Sequence, residues 1–179
     1  MRTTSFARRL GASAALIGAA ALVSGAGAAP ADVAPAAAPT IGPSGVGGVK
    51  IGKTYTALRK KKLIGKIHAG CELAPNTRSA ALKSPLKGSV DFTRKNPRKV
   101  TNVTVFSGAS TAKGVGIGST IEEIQAAYPN AKVDHGSDEV FHVTFVTIPK
   151  SDGGKFQFAV DIDTGKTTAI GVPFIATCE

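Results

Sequence analysis

The sequence predicts an α+β fold in which two helix-plus-β-hairpin or meander repeats share an antiparallel sheet. A seven-residue stretch that begins at Gly48 recurs at Gly114 with five identical positions, and an amphipathic segment follows each copy. Behind both copies, apolar and polar residues alternate as they do in half-buried strands. Helices packed on one face of an antiparallel sheet are the architecture that this order of elements favours.

The first 28 residues have the composition of a secretory signal peptide. Three arginines precede an uncharged run over residues 10–23, and small residues follow, which is the order of regions in such a signal. The run is shorter than the roughly 20 residues that a spanning helix needs, so we expect cleavage after Ala28 rather than an uncleaved anchor. The chain is predicted to be secreted, without a transmembrane segment after cleavage.

Residues 29–47 are rich in Ala, Pro and Gly and have almost no charge. This composition predicts a disordered linker, because it offers little apolar surface to bury. Residues 48–179 are long enough for one α+β domain with a real core. Its two predicted repeats are residues 48–113 and 114–179, the duplication being inferred from pattern.

Each copy of the seven-residue stretch is predicted to start a helix. In the second copy, Ser119 to Glu122 has the form of a capping box, and Ile124 and Tyr128 continue one apolar face. In the first copy Thr54 is the expected cap. The glycines are interpreted as a tight turn into the helix and not as a nucleotide-binding loop. The residues assigned to the helix starts are Gly52, Thr54, Gly118, Ser119 and Thr120.

Alternation predicts five or six strands in all. In the first half they fall near residues 88–94 and 100–107, separated by a turn at Asn96 and Pro97. In the second half Phe141, Val143 and Phe145 alternate with polar residues, with His142 expected at solvent or at a sheet rim. Two further strands, over 156–162 and 167–175, flank a tight turn.

Two cysteines, Cys71 and Cys178, are the only ones in the chain, one in each predicted half. In an exported protein an even count favours a disulfide bond, and this one would tie the halves together. Two thiols without a histidine at ligand spacing make a poor zinc site. No metal site is predicted.

Positive charge is concentrated in residues 50–99, which have 14 Lys and Arg against two acids, whereas residues 100–179 have five Lys against nine acids. Such a field attracts an anionic partner at the cell envelope or a protein, and a solvated surface is the alternative. Nucleic acid is not expected, because few aromatic residues accompany the charge. The candidate contacts for an anionic partner are Lys50, Lys53, Arg59, Lys60, Lys61, Lys62 and Lys66.

No catalytic, cofactor-binding or metal-binding residue is assigned, and the chain is predicted not to be an enzyme. Asp134 and His135 could form part of a hydrolase triad if a serine joined them, but no Gly-x-Ser-x-Gly motif is present. The three histidines lack the spacing of a metalloprotease site.

Ile51 to Thr54 followed by Leu58, and Ile117 to Thr120 followed by Ile124, resemble the helix starts in the tandem repeats of secreted β-lactamase inhibitor proteins. They are also similar to those of single-repeat outer-membrane assembly lipoproteins, and the whole chain looks like exported proteins of high-GC Gram-positive bacteria. The resemblance implies a helix followed by an antiparallel meander. The chain departs from the inhibitors in having one cysteine per half, and from the lipoproteins in lacking a cysteine at the cleavage site.

The leading functional hypothesis is an exported, non-enzymatic binding or interaction module that acts at the cell envelope or outside the cell. The alternative is a proteinaceous inhibitor of a secreted hydrolase such as a β-lactamase, although the inhibitors' aromatic contact residues are scarce here. A hydrolase is the third hypothesis.

Overall fold

Strands dominate the computed structural model, which describes residues 38–70, 77–151 and 153–176. Of these residues 43% lie in strands and 13% in helices. The described helices are Tyr55–Lys60 (α1), Ile121–Ala127 (α2) and Asp138–Phe141 (α3). The described strands are Thr40–Gly42 (β1), Gly45–Val46 (β2), Val49–Lys50 (β3), His68–Ala69 (β4), Arg78–Ala81 (β5), Lys87–Phe92 (β6), Val100–Ser107 (β7), Ser110–Thr111 (β8), Lys132–Asp134 (β9), Val143–Pro149 (β10), Lys155–Asp161 (β11) and Thr167–Val172 (β12).

The predicted fold class, α+β with two helix-plus-hairpin or meander repeats, is wrong. The protein is mostly β, with one sheet of four strands and another of eight, and its three described helices have only six, seven and four residues. Half of the strands have two or three residues, too few for an alternating pattern to show in the sequence. The expected count of five or six strands was too low for this reason.

The larger sheet has the strand order β4-β5-β6-β7-β12-β11-β10-β9, and all neighbours in it are antiparallel. Its two central strands, β7 and β12, are far apart in the chain and pair through Val105 with Ile170 and Val103 with Val172. The remaining neighbours follow one another along the chain. Pairing of β7 with β12 therefore joins the two halves of the sheet.

The smaller sheet has the order β3-β2-β1-β8, in which β1 and β8 are parallel. Ile41 and Val46 are 1% and 0% exposed and belong to the core. Both residues lie in the stretch that the sequence assigned to the linker, so the folded chain includes β1 and β2 ahead of Gly48. Residues 1–37, which hold the predicted signal peptide and most of the linker, lie outside the described residues.

One core fills the space between the larger sheet and a layer made of the smaller sheet, α1 and α2. From this layer come Leu58 of α1 and Ile124 of α2, which are 2% and 0% exposed. Edge-to-face ring contacts join the layer to the sheet, between Tyr55 and Phe92 and between Tyr128 and Phe156. Each contact places a helix terminus over a strand. Edge-to-face packing is a preferred arrangement of aromatic pairs.

Both helix starts are bound to the sheet by the same backbone hydrogen bonds. The amide of Gly52 donates to Val100 O (2.8 Å), and the amide of Val100 donates to Lys53 O (2.9 Å). At the second helix Gly118 N donates to Thr167 O (2.8 Å), and Thr167 N donates to Ser119 O (2.9 Å). Gly52 and Gly118 have φ values of 80° and 88°, the left-handed region that favours glycine.

Thr54 caps α1 and Thr120 caps α2, each accepting a backbone amide hydrogen bond at its hydroxyl. The capping box lies one residue later than expected, with Thr120 at the cap and Glu123 returning to the Thr120 amide (3.0 Å). The hydroxyl of Ser119 instead accepts from Gly116 N (3.1 Å) within the glycine turn.

The segment expected to begin a strand at Phe141 forms α3, and His142 follows it with φ 51°. The strand starts at Val143. The left-handed residue ends the helix, because its amide donates to Asp138 O (3.1 Å) before the chain extends. Phe141 therefore belongs to one turn of helix, and the alternating pattern of the strand begins at Val143.

After β12 the chain folds back over the other face of the larger sheet, which we call the outer face. Residues 173–176, the C-terminal strap, are held there by Ile175 N, which donates to Gln157 Oε1 (3.1 Å). Beneath them, Phe145, Ala159 and Ala169 form a small second apolar cluster. A Cβ at Gly171 would lie 2.2 Å from Phe174 O, so this close approach requires glycine. None of the helices in the described residues is long and apolar enough to span a membrane.

We predict that Thr120→Ala lowers the free energy of unfolding by about 1 kcal/mol, because an amide at the start of α2 loses its acceptor. Thr120→Ser keeps the hydroxyl and should cost clearly less. Chemical denaturation of both variants measures the difference. Equal losses in the two variants would show that the hydroxyl does not cap the helix.

Candidate functional site

The seven cations assigned to an anionic partner lie on and around α1, and we call this set the basic surface. Arg59 and Lys60 end the helix, Lys61 is its C-cap residue and Lys62 follows with φ 57°. Leu58 turns the opposite side of α1 into the core. Amphipathicity of this short helix therefore directs its charge away from the sheet. The remaining members are Lys50 at the end of β3, Lys53 before the helix and Lys66 ahead of β4.

Five members of the basic surface are exposed, and two are half-buried with polar contacts of their own. Arg59 Nη1 donates to Ile64 O (2.9 Å), which fixes the chain that leaves α1. Lys50 Nζ donates to Ser44 Oγ (3.4 Å). The exposed ammonium groups are available to a partner, whereas Arg59 has a structural task. The exposed members are Lys53, Lys60, Lys61, Lys62 and Lys66.

No described carboxylate lies within 4.0 Å of any cation of the basic surface. Between residues 50 and 99 the described chain has 14 cations and a single acid, Asp91. Cations gathered without counter-charges repel one another, and an anionic partner relieves that repulsion. A solvated surface that favours solubility is the alternative role of the same charge.

Three cations that the local sequence did not connect with α1 are brought to it by the backbone. Tyr55 N donates to Arg98 O (2.9 Å), Lys99 pairs with Thr54 in a β-bridge, and Lys83 N donates to Leu63 O (3.0 Å). These residues were counted in the net charge of residues 50–99. The position of these three cations beside α1 depends on tertiary contacts. Only the cations that are close to α1 in the sequence could therefore be assigned to the basic surface beforehand.

The residues considered for a hydrolase triad do not come together as that hypothesis requires. Asp134 Oδ1 accepts from Gly136 N (2.9 Å) in a local turn, while His135 Nδ1 lies 2.9 Å from Asp138 Oδ2. In the described part of the chain, no serine hydroxyl is hydrogen-bonded to His135. The nearby hydroxyl of Thr144 donates to Asp138 Oδ1 (2.8 Å) and is almost fully buried. Among the described residues, the hydrolase hypothesis therefore has no serine nucleophile hydrogen-bonded to His135.

Asp138 connects α3 to β10, because it accepts from both His135 and Thr144. The hydrogen bond with His135 lowers the pKa of the Asp138 carboxyl below its ordinary value of 3.8, and the bond from Thr144 acts in the same direction. Both bonds favour the ionised form, and protonation of the carboxyl weakens them. Among the described residues no three His, Cys, Asp or Glu side chains gather as a metal site would require.

Cys71 and Cys178 lie outside the described residues, so their disulfide bond stays a prediction. Gly70, which precedes Cys71, and Ala176, two residues before Cys178, line the same pocket on the outer face.

The lowered pKa of Asp138 predicts how stability depends on pH. A depressed carboxyl pKa stabilises the fold above the unfolded-state value near 3.8, and this contribution is lost as pH falls through the folded-state value. Asp138→Asn should therefore be less stable than the natural protein at neutral pH, and the difference should shrink in acid. Denaturation at several pH values tests this, and a difference that grows in acid would contradict it. Thr144→Val should raise the pKa of Asp138 in a carboxyl titration by NMR.

We expect the secreted protein to take up alkylating reagent at two sites only after reduction, because the thiols are joined. Cys178→Ser should take up one alkyl group without reduction and lose up to about 4 to 5 kcal/mol of stability, as expected for a closed loop of about 100 residues. Mass spectrometry of the denatured protein reads out both results. Full alkylation of the unreduced natural protein would show free thiols.

Comparison with family models, with curated proteins and with solved structures finds no match for this chain. The resemblance to β-lactamase inhibitor proteins and assembly lipoproteins accordingly stays a prediction.

Proposed function

We propose that this protein is an exported, non-enzymatic interaction module, held at the cell envelope by an anionic component that binds its basic surface. The observation that supports this most is the group of exposed lysines around α1, which has no described carboxylate within 4.0 Å. The secreted location rests on the signal-like composition of residues 1–28.

The partner that fits this surface is a polymer or lipid surface with repeated negative charge, such as a phosphate-bearing wall polymer. Exposed lysines on flexible side chains adapt to many anion positions and do not form a shaped pocket for one small anion. Binding of this kind is long-range and weakens as salt screens the charges. It suits retention at a charged envelope better than recognition of one shape.

The uneven charge of the two halves would orient the protein on an anionic surface. Residues 100–176 have, among those described, seven acids against five lysines. An anionic surface therefore attracts the α1 side and repels the half that contains β9 to β12. The protein would attach through its basic surface and leave the acidic half facing outward.

We predict that the triple change Lys60→Glu, Lys61→Glu and Lys62→Glu weakens retention on purified anionic wall material at least about tenfold, given about 1 kcal/mol per lysine at an anionic surface. The three side chains are exposed, so folding should be preserved. Bound fractions measured over a series of salt concentrations give the affinity and its salt dependence, which should become shallower in the variant.

The matched control reverses Lys132, Lys155 and Lys166, which are exposed in the acidic half and change the net charge by the same amount. We expect this control to retain most of the binding. Equal loss in both variants would show that net charge alone attracts the protein. Unchanged retention of the Lys60, Lys61 and Lys62 variant would refute the proposal.

A further inference from the structure

A pocket of about 330 Å³ opens on the outer face, between the first strands of the larger sheet and the C-terminal strap. Its volume is within the range of small-molecule sites. Both polar and apolar residues line the pocket. Those used below are His68, Ser79, Ser89, Asp91, Phe106 and Ala176.

Four polar residues form a row across neighbouring strands, and the first three of them line this pocket. His68 on β4 is opposite Ser79 on β5, Ser79 is opposite Asp91 on β6, and Asp91 is opposite Asn102 on β7. Residues directly opposite one another in antiparallel strands point to the same side of the sheet. The row therefore places a carboxylate between a hydroxyl and an amide on one surface.

The amide of Asn102, at the end of this row, anchors the C-terminal strap. Asn102 is 2% exposed, and its nitrogen donates to the carbonyls of Val172 (2.9 Å) and Phe174 (2.7 Å) when the amide points toward them. The amide oxygen cannot pair with those carbonyls, so this orientation is the one that satisfies the group. The atom 3.4 Å from Asp91 Oδ2 is then the oxygen of Asn102. The same oxygen lies 3.4 Å from Thr104 Oγ1, whose hydroxyl can donate to it. Asn102 is not among the residues that line the pocket.

His68 adds a second acceptor, two strands away from Asp91. Its Nδ1 is 2.6 Å from the carbonyl oxygen of Ala69, which can only accept, so Nδ1 holds the proton. The other ring nitrogen of the neutral side chain is therefore an acceptor. The acceptors of Asp91 and His68 favour a ligand group that donates hydrogen bonds.

Asp91 has no described cation within 4.0 Å, although it belongs to the most basic part of the chain. Phe106 lies on the same outer face, and its side chain is 52% exposed. A carboxylate beside an open aromatic ring is a combination that binds ammonium groups, through an ion pair and a cation–π contact.

We propose that this pocket binds a primary ammonium group, with the nitrogen on the Asp91 carboxylate and the attached carbon chain against Phe106. An ammonium is a compact charge with three donors, which suits it to pair with the Asp91 carboxylate. This site is separate from the basic surface and does not depend on the proposed attachment to an anionic envelope.

The positive charge of this half does not prevent such binding. α1 packs on the core face of the larger sheet, and the pocket opens on the outer face. Among the described residues that line the pocket, Asp91 is the one acid and none is Lys or Arg.

The test titrates the secreted protein with pentylamine and, as a neutral control of similar shape, pentan-1-ol. Amide signals of Ser79, Ser89 and Asp91 are followed by NMR. We expect saturable shifts with pentylamine and at least about tenfold weaker binding of the alcohol, because a charge-assisted bond is lost. Equal binding of the two probes, or no saturable shift with pentylamine, would overturn the proposal without any variant.

Asp91→Asn keeps the shape of the side chain and should weaken pentylamine binding about tenfold, and Phe106→Leu should weaken it several-fold. Unchanged affinity in Asp91→Asn would also overturn the proposal. A second arm compares the capped peptides Gly-Lys-Gly and Gly-Gln-Gly. Binding of the lysyl peptide as tightly as pentylamine identifies a lysine of a partner protein as the source of the ammonium, and preference for pentylamine identifies a small molecule.

Discussion

The paired backbone hydrogen bonds between each glycine turn and the first residue of a central strand determine where the helices lie. Gly52 and Lys53 bind Val100 at the start of β7, and Gly118 and Ser119 bind Thr167 at the start of β12. Because β7 and β12 also pair with each other, both helices are fixed to the middle of the larger sheet. Helices of six and seven residues are too short to be stable alone, so these bonds and the core contacts hold them in place.

Fixing α1 in this way separates the protein into two faces with different chemistry. The core face takes the helices and the smaller sheet, and the basic surface lies on the far side of that layer. The outer face keeps polar side chains on β4 to β7 and is covered on β10 to β12 by the C-terminal strap. Charge attraction and pocket binding can therefore operate on opposite sides without competing.

Strands with a long alternating pattern could be predicted from sequence, and elements formed by distant pairing could not. β7 covers the expected residues, and β6, β11 and β12 overlap theirs closely. By contrast, β5 reads Arg-Ser-Ala-Ala and β1 lies among prolines and glycines, so neither shows a strand pattern. The cations that lie close together in the sequence predicted the basic surface around α1. The polar row beside Asp91 depends on strand register, which no local pattern specifies.

The outer face has a structural contact of its own at Asn102. A buried amide in a central strand is costly unless its hydrogen bonds are made, and here its nitrogen is satisfied by carbonyls of Val172 and Phe174. That requires the strap to pass close to Gly171, where no side chain fits. An apolar residue at position 102 would avoid the requirement, but it would leave the strap without this anchor. The polar side chain at position 102 thus fixes the position of the strap, which contributes Ala176 to the pocket.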